Sequence, residues 1–267
     1  LILARRESQL QTLTETAQRR LERTVEAVLA FLEDSEHRVR ASTVDWYRHV
    51  LKDLSSNVLS DISHKSIPHT AQHITAVKSF LNWCVRQELI ERHPFQFTKA
   101  RFNARDRVLS DAELKAVWDY DFPPYSDYLK VLILTGQRRG QFQNYELRDD
   151  TIYFPAEAMK SGLAHTIPLT RQVRRLLPIS HFAGWSKSKE RINKYVPIDP
   201  WVVHDLRRTF STNCAALGIP LHVTEEILAH RSGQRSGVAA IYNRYTYMPE
   251  MREALDRYAL HVESVVA

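Results

Sequence analysis

Glycine is scarce in this sequence, with seven in 267 residues. Loops that cradle phosphate through backbone N–H groups need several glycines a few positions apart, so P-loop and dinucleotide-fingerprint chemistry has little support. Cysteine is scarcer still. Cys84 and Cys214 lie in separate helical stretches, without CxxC or CxxH spacing. That pattern argues against a zinc site and reads as two buried thiols in a reducing compartment. Apolar runs fall far short of a bilayer's thickness and no secretory signal pattern is present, so a cytoplasmic chain with no membrane partner is expected. The chain opens on Leu-Ile-Leu-Ala rather than Met and reads as a fragment or a processed chain.

What is present is ordinary globular material, 43% hydrophobic and 25% charged, which suffices for one or two cored domains. The balance is basic, at +6 with a pI near 9.3, which makes nucleic acid a candidate partner. Residues 1–34 contain neither Gly nor Pro, and Leu21, Val25, Val28, Leu29 and Leu32 recur at helical spacing. Residues 1–21 are more polar and read as a linker helix. A second helix is expected to open at Ser42-Thr43 with Trp46, Val50, Leu51 and Leu54 on one face. A third follows Pro68-His69-Thr70, facing inward through Ile74, Val77, Phe80, Leu81 and Val85. Residues 22–98 therefore read as a helical bundle.

Lys99, Arg101, Arg105 and Arg107 crowd the stretch after it, and 99–106 reads as a basic interdomain linker. A second domain, 107–267, is announced by a capping signal, Ser110 with Glu113 three residues on. Ser126 to Thr135 predicts an apolar helix stopped by Gly136. Thr151–Pro155 and His165–Leu169 have strand composition, and Ser161-Gly162 between them suits a hairpin turn with Lys160 at its lip. Residues 170–177 read as helical and 180–200 as irregular and basic. From Val203 the pattern is helical to the end, broken at Gly218-Ile219-Pro220 and around 233–237. The predicted fold is mainly α with a small antiparallel β-sheet.

Charge beside apolar segments is the first chemical signal. Arg138 and Arg139 follow an apolar helix, and Arg207 and Arg208 follow Trp201-Val202-Val203. Most arginine pairs are solvated surface. Next to core segments, however, a guanidinium needs a partner or an anion, and its planar fork suits phosphate oxygens. His204 stands three residues before Arg207 and shares its helical face. His230 ends another apolar run, Ile227-Leu-Ala-His. A metal phosphohydrolase would need further spaced His and Asp ligands, and none stand out. Tyr242, Tyr245 and Tyr247 close the series; most tyrosines are packing residues, and as a nucleophile tyrosine needs arginines and a base nearby.

Taken in order, these pieces resemble the tyrosine recombinase (phage integrase) family over residues 22–260. Thr135-Gly-Gln-Arg138 looks like its first-arginine box and Lys160 like its catalytic lysine. His204-Asp-Leu-Arg207 looks like its His-x-x-Arg box and Ile227-Leu-Ala-His230 like its second-histidine box. Ile241-Tyr242-Asn-Arg looks like its nucleophile box, and Met251-Arg-Glu-Ala-Leu255 like the helix that follows. Two departures stand out. Gln141 occupies a position commonly acidic in the family, and the stretch from His230 to Tyr242 is longer than in compact members, which leaves Tyr245 and Tyr247 as lesser nucleophile candidates.

The resemblance implies that Tyr242 attacks a DNA phosphodiester to form a 3′-phosphotyrosine. Arg138 and Arg207 would clamp the non-bridging oxygens, Lys160 would protonate the leaving 5′ oxygen, His204 would accept the tyrosine proton and His230 would bond a phosphate oxygen. No metal or other cofactor is implied. The helical domain would bind the core site, with Thr43, Thr70 and Lys78 near the groove and Lys99, Arg101, Arg105 and Arg107 on phosphates. Expected partners are double-stranded attachment sites, further copies in a homotetramer on two duplexes, with the C-terminal residues on a neighbouring protomer, and accessory DNA-bending proteins. A prokaryotic or phage source with nucleoid association follows; an arm-site-binding domain is not visible, which fits a truncated chain. Rival readings are a type IB topoisomerase, a non-catalytic DNA-binding protein derived from an integrase, and a structural helical protein with chance motifs.

Overall fold

A computed structural model describes residues 23–52, 54, 62, 71–94, 96, 105–230 and 245–267. The chain divides into two compact units, 1–104 and 105–267.

In the first unit, α1 (23–36), α2 (Ala41–Leu51) and α3 (Ala71–Arg86) share an aromatic core. Phe31 of α1 meets Tyr47 at 5.1 Å, Phe80 at 5.5 Å and Trp83 at 5.8 Å between ring centroids. The expected faces of α2 and α3 are largely those observed, with Val50, Leu51, Leu54, Val77, Phe80 and Leu81 buried. The face expected for α1 is rotated. Val25 and Leu29 are exposed while Ala27, Val28, Phe31 and Leu32 are buried, because Phe31, absent from the aliphatic pattern, decides which way the helix turns.

The second unit opens with α4 (Asp111–Asp119) and the expected capping box. The Ser110 N–H donates to the Glu113 carboxylate at 2.9 Å, and the Glu113 N–H donates back to the Ser110 hydroxyl. Helix α5 (Tyr125–Thr135) is buried around most of its circumference and forms the axis of the unit. A three-stranded antiparallel meander follows: β1 (Glu146–Arg148), β2 (Thr151–Phe154) and β3 (His165–Pro168). Ile152 pairs with Ile167, and these two side chains with Phe154 turn one face of the sheet into the core. β1 was not foreseen, because Glu-Leu-Arg is too short to show alternation and all three residues are exposed.

Short α6 (Arg171–Arg174), α7 (Trp185–Tyr195), α8 (Val203–Ala216), α9 (Leu221–Ile227) and α10 (Met248–Val266) complete the unit. The stretch read as irregular thus contains a helix of 11 residues, α7. Ile192 and Ser188 are buried at helical spacing from Trp185, but charged residues fill the remaining positions and hide the period. Helix α10 lays Met251, Ala254, Leu255, Tyr258, Ala259 and Val262 into the unit's own core. Its apolar face is therefore spent within this chain, while Leu260 on the same helix stays exposed. Cys84 and Cys214 are free and buried, each thiol pushed up to about 12 by burial. Among the described residues, no helix is long and apolar enough to cross a membrane.

Candidate active site

Gly136 ends α5 in the left-handed region, with φ of +63°. A Cβ there would lie 2.5 Å from the Phe210 ring and 2.8 Å from Leu228, so both conformation and space require glycine. The tight turn delivers Gln137 and Arg138 to the surface of the core, next to the helix that carries His204 and Arg207.

Arg207 is buried, at 4% exposure. Its guanidinium donates to the Gly136 carbonyl at 3.0 Å and to the Leu228 carbonyl at 2.6 Å. It therefore pins the Arg138 turn to the end of α9, the helix that leads to His230. The carbonyls left over at a helix C-terminus carry partial negative charge and accept these donors readily. Ile227 O, one residue earlier, takes Gln137 Nε2 at 2.8 Å and His165 Nε2 at 3.0 Å. Since a carbonyl only accepts, His165 must carry its proton on Nε2. Residues from α5, β3, α8 and α9 thus meet at one end of the unit.

The electrostatics of this meeting point favour an anion. Burial lowers the pKa of Arg138, with no carboxylate among the described residues offsetting it. Burial first, and Arg138 second, bring Arg207 down to about 9. His204 is lowered by burial and then by Arg208, Arg207 and Arg138, against a smaller opposing pull from Asp205. His230 is lowered by burial, Arg207 and Arg138, with Glu225 opposing. Both imidazoles are therefore held neutral beside two guanidinium charges. Such a site can bind a phosphate and still offer a proton acceptor.

A cavity of about 820 Å³ opens beside these groups, lined among others by Arg138, Arg139, Lys160, Lys189 and His204, with Glu190 as the one acidic wall residue among the described residues. Lys160 sits on the turn between β2 and β3. That connection is longer than a simple hairpin, passing through a 3₁₀ turn at Ala156–Ala158 and the buried Met159. The Met159 sulfur accepts from Gln141 Nε2 at 3.2 Å, which ties the lysine turn to the Arg138 segment. His230 lines a small adjoining pocket with Ser161, His165 and Glu226.

Three of the sequence-predicted residues, Arg138, Lys160 and His204, share the cavity. Arg207 lies buried behind it, and His230 is within electrostatic reach of both arginines. Tyr242 lies outside the described residues, as do Thr70, Lys99 and Arg101. Thr43 is half-buried on α2 and Lys78 exposed on α3. Arg105 reaches Asp205 at 3.1 Å and the Pro200 carbonyl at 3.3 Å, and Arg107 pairs with Glu113, so each of these two linker arginines has an acidic partner inside the second unit.

Several participants escaped sequence reasoning. Asp205 is fully buried and holds Arg105, Arg208 and the Val202 N–H that opens α8. Lys189 stands over the Trp201 ring at 4.0 Å, and burial brings it down to about 8. Helical spacing from Trp185 could have revealed α7, and with it Lys189. Nothing in the sequence signals His165 or the Gln137–Gln141 contact, because they depend on tertiary neighbours.

No family model matches the chain. A prophage integrase, IntZ of Escherichia coli K12, is 30% identical over 165 aligned positions, covering 52% of this chain. The chain spans about 40% of the length of that curated relative. Among solved structures, a λ integrase dimer bound to a COC′ core site matches with a TM-score of 0.63 at 16% identity, over 78% of this chain and 95% of that one. A λ integrase tetramer bound to a Holliday junction matches at 0.58 and 15%, over 78% and 77%. The integrase of transposon Tn1549, in complex with circular intermediate DNA, matches at 0.50 and 13%, over 82% and 94%. The fold is the one these integrases share.

Proposed function

We propose that this chain is a tyrosine recombinase, cutting and rejoining DNA strands at specific sites, with Tyr242 as nucleophile. The observation that carries the reading is the convergence of Arg138, Arg207, His204 and His230, from three separate segments, beside a cavity that Lys160 also lines. In this reading the two guanidinium groups hold the non-bridging oxygens of the scissile phosphate. Their charge does most in the pentacoordinate transition state, where negative charge on those oxygens is greatest. His204, its pKa lowered by burial and then by its arginine neighbours, takes the phenolic proton as the Tyr242 oxygen forms its bond to phosphorus. The P–O5′ bond breaks and the departing oxygen takes a proton from Lys160. His230 donates to a phosphate oxygen. Reversal by a 5′-hydroxyl from a second duplex reforms the phosphodiester and frees the tyrosine.

The choice of Tyr242 among three tyrosines is supported by the other two. Tyr245 hydrogen-bonds Glu250, which raises its pKa and disfavours the phenolate, and its ring leans on Tyr247 at 4.9 Å. Tyr247 packs on His222 and opens α10, its carbonyl accepting the Met251 N–H at 2.8 Å. Both are occupied in starting a helix.

Residues 22–98 would form the core-site-binding domain, 99–106 the linker and 107–267 the catalytic domain. Double-stranded attachment sites are the proposed substrate, and a homotetramer on two duplexes, with the C-terminal residues on a neighbouring protomer, is the proposed assembly; the similar fold of a λ integrase tetramer bound to a Holliday junction supports it. Accessory DNA-bending proteins and nucleoid association belong to the same proposal. A nicked suicide duplex carrying the attachment site, or a library of flanking sequences, tests it. An SDS-resistant protein–DNA adduct mapped by mass spectrometry to Tyr242, and lost in Tyr242→Phe, is expected. An adduct on Tyr245 or Tyr247 would move the nucleophile, and DNA bound without any adduct would overturn the reading.

A further inference from the structure

The residue at the family's usually acidic position, Gln141, is buried and fully engaged, and its engagement depends on Gln137. Gln137 Nε2 donates to two main-chain carbonyls, Thr135 O at 3.1 Å and Ile227 O at 2.8 Å. Carbonyls only accept, so the Gln137 amide cannot be turned over; its oxygen would then face two other oxygens. That oxygen is consequently fixed toward Gln141, whose Nε2 donates to it at 2.8 Å. The second proton on Gln141 Nε2 serves the Met159 sulfur, and Gln141 Oε1 takes the Arg138 N–H at 2.7 Å. Both side chains are nearly inaccessible, at 2% and 1% exposure, so a lost partner is costly.

We infer that Gln137 and Gln141 act as one coupled amide pair that positions Arg138, and that in this chain position 141 must carry a hydrogen-bond donor. A carboxylate there could still accept the Arg138 N–H. Its second oxygen, however, would meet the Gln137 oxygen at hydrogen-bond distance with no proton between them, in a buried site. Glutamine at 137 therefore dictates an amide at 141. The departure from an acid at 141 is the consequence of its hydrogen-bonded neighbour four residues earlier. The pair also ties the Arg138 turn to the end of α9 through Ile227 and to the Lys160 turn through Met159, so it is a positioning device for three of the proposed catalytic groups. Among the described residues it leaves the charge of Arg138 without a paired carboxylate. The consequence for catalysis rests on the recombinase reading; the coupling itself rests on the hydrogen bonds alone.

The test is a double-variant cycle in the full chain: Gln141→Glu, Gln137→Leu and the two together. Leucine at 137 is similar in size and makes no demand on 141. Thermal melting, DNA affinity and the single-turnover rate of adduct formation on the nicked duplex are measured for each. Gln141→Glu is expected to melt roughly 3–9 °C lower and to form adduct at least about tenfold more slowly. Its DNA affinity should change by no more than about twofold, because Gln141 acts through the orientation of Arg138 rather than on the duplex. The double variant should recover part of both losses. Where Gln141→Glu does not fold, folding of the double variant is the same result. Additive effects, an unaffected Gln141→Glu, or a double variant no better than Gln141→Glu would each overturn the coupling. If the unsubstituted chain forms no adduct, the recombinase reading fails while the melting cycle still decides the pair.

Discussion

Arg207 and Leu228 lie 21 positions apart, and the arginine Nη2 donates to the leucine carbonyl at 2.6 Å. The other side of the same guanidinium holds Gly136 O. One planar group thus spans two segments and keeps its remaining donors for an anion. A lysine ammonium cannot do this, being a point charge on a stem without the fork. Arg207→Lys should slow adduct formation about 100-fold or more and lower the melting temperature by a few degrees. A variant with near-normal cleavage would mean that charge alone suffices at this position.

Asp205 joins the start of the second unit to α8. Its fully buried carboxylate meets Arg105, Arg208 and the Val202 N–H. Replacing it by alanine leaves two partly exposed arginines and a helix-opening N–H without their acceptor. Allowing for the exposure of the arginines, the expected cost is roughly 2–4 kcal/mol. Calorimetry or circular dichroism melting would read this directly, and a loss under about 0.5 kcal/mol would place Asp205 among ordinary surface residues.

His204 is held below the usual imidazole range by burial, Arg208, Arg207 and Arg138. As proton acceptor it works in the neutral form, so the acid limb of the cleavage rate should lie below pH 6.5. Removing a positive neighbour without touching the site, as in Arg208→Gln, should move that limb upward. A limb above 6.5, or one indifferent to Arg208, would assign the base elsewhere. The measurement is single-turnover cleavage across pH 5–8.

Lys189 is lowered by burial as well, but it acts in its protonated form. Burial brings it to about 8, with Asp205 opposing, so the free chain loses this charge as pH rises through 8. A phosphate in the cavity would restore the proton. DNA affinity should therefore fall more steeply above pH 8 in the parent chain than in Lys189→Met. The stability sign is the reverse. Below pH 8 the folded chain carries a penalised charge, and that penalty is relieved as pH rises from 8 toward the unfolded value near 10.5. Lys189→Met should thus melt higher than the parent chain at neutral pH while binding DNA less well. Equal affinity–pH profiles would remove Lys189 from the interface.

Much of the second unit was legible in the chain itself. Ser110 and Glu113 announce a helix start in four letters, and Gly136 marks a helix end that only glycine can make. The arginine and histidine boxes showed because charge beside apolar runs is costly without a purpose. What stayed hidden was whatever depends on a distant partner. The phase of α1 turns on Phe31 finding Phe80 and Trp83, β1 exists because β2 is beside it, and α7 is concealed by its own charged surface. Gln141 looked like a missing acid because its meaning is set by Gln137 and, through it, by a carbonyl 90 positions from Gln137.

The two acceptors that hold Arg207 are main-chain carbonyls. A backbone oxygen is supplied by every amino acid, so sequence drift at Leu228 can alter packing but cannot delete the acceptor. Its inheritance follows the path of the chain rather than the identity of its side chains. Distant descendants sharing few letters with this protein can therefore keep the arginine aimed at the same point in space.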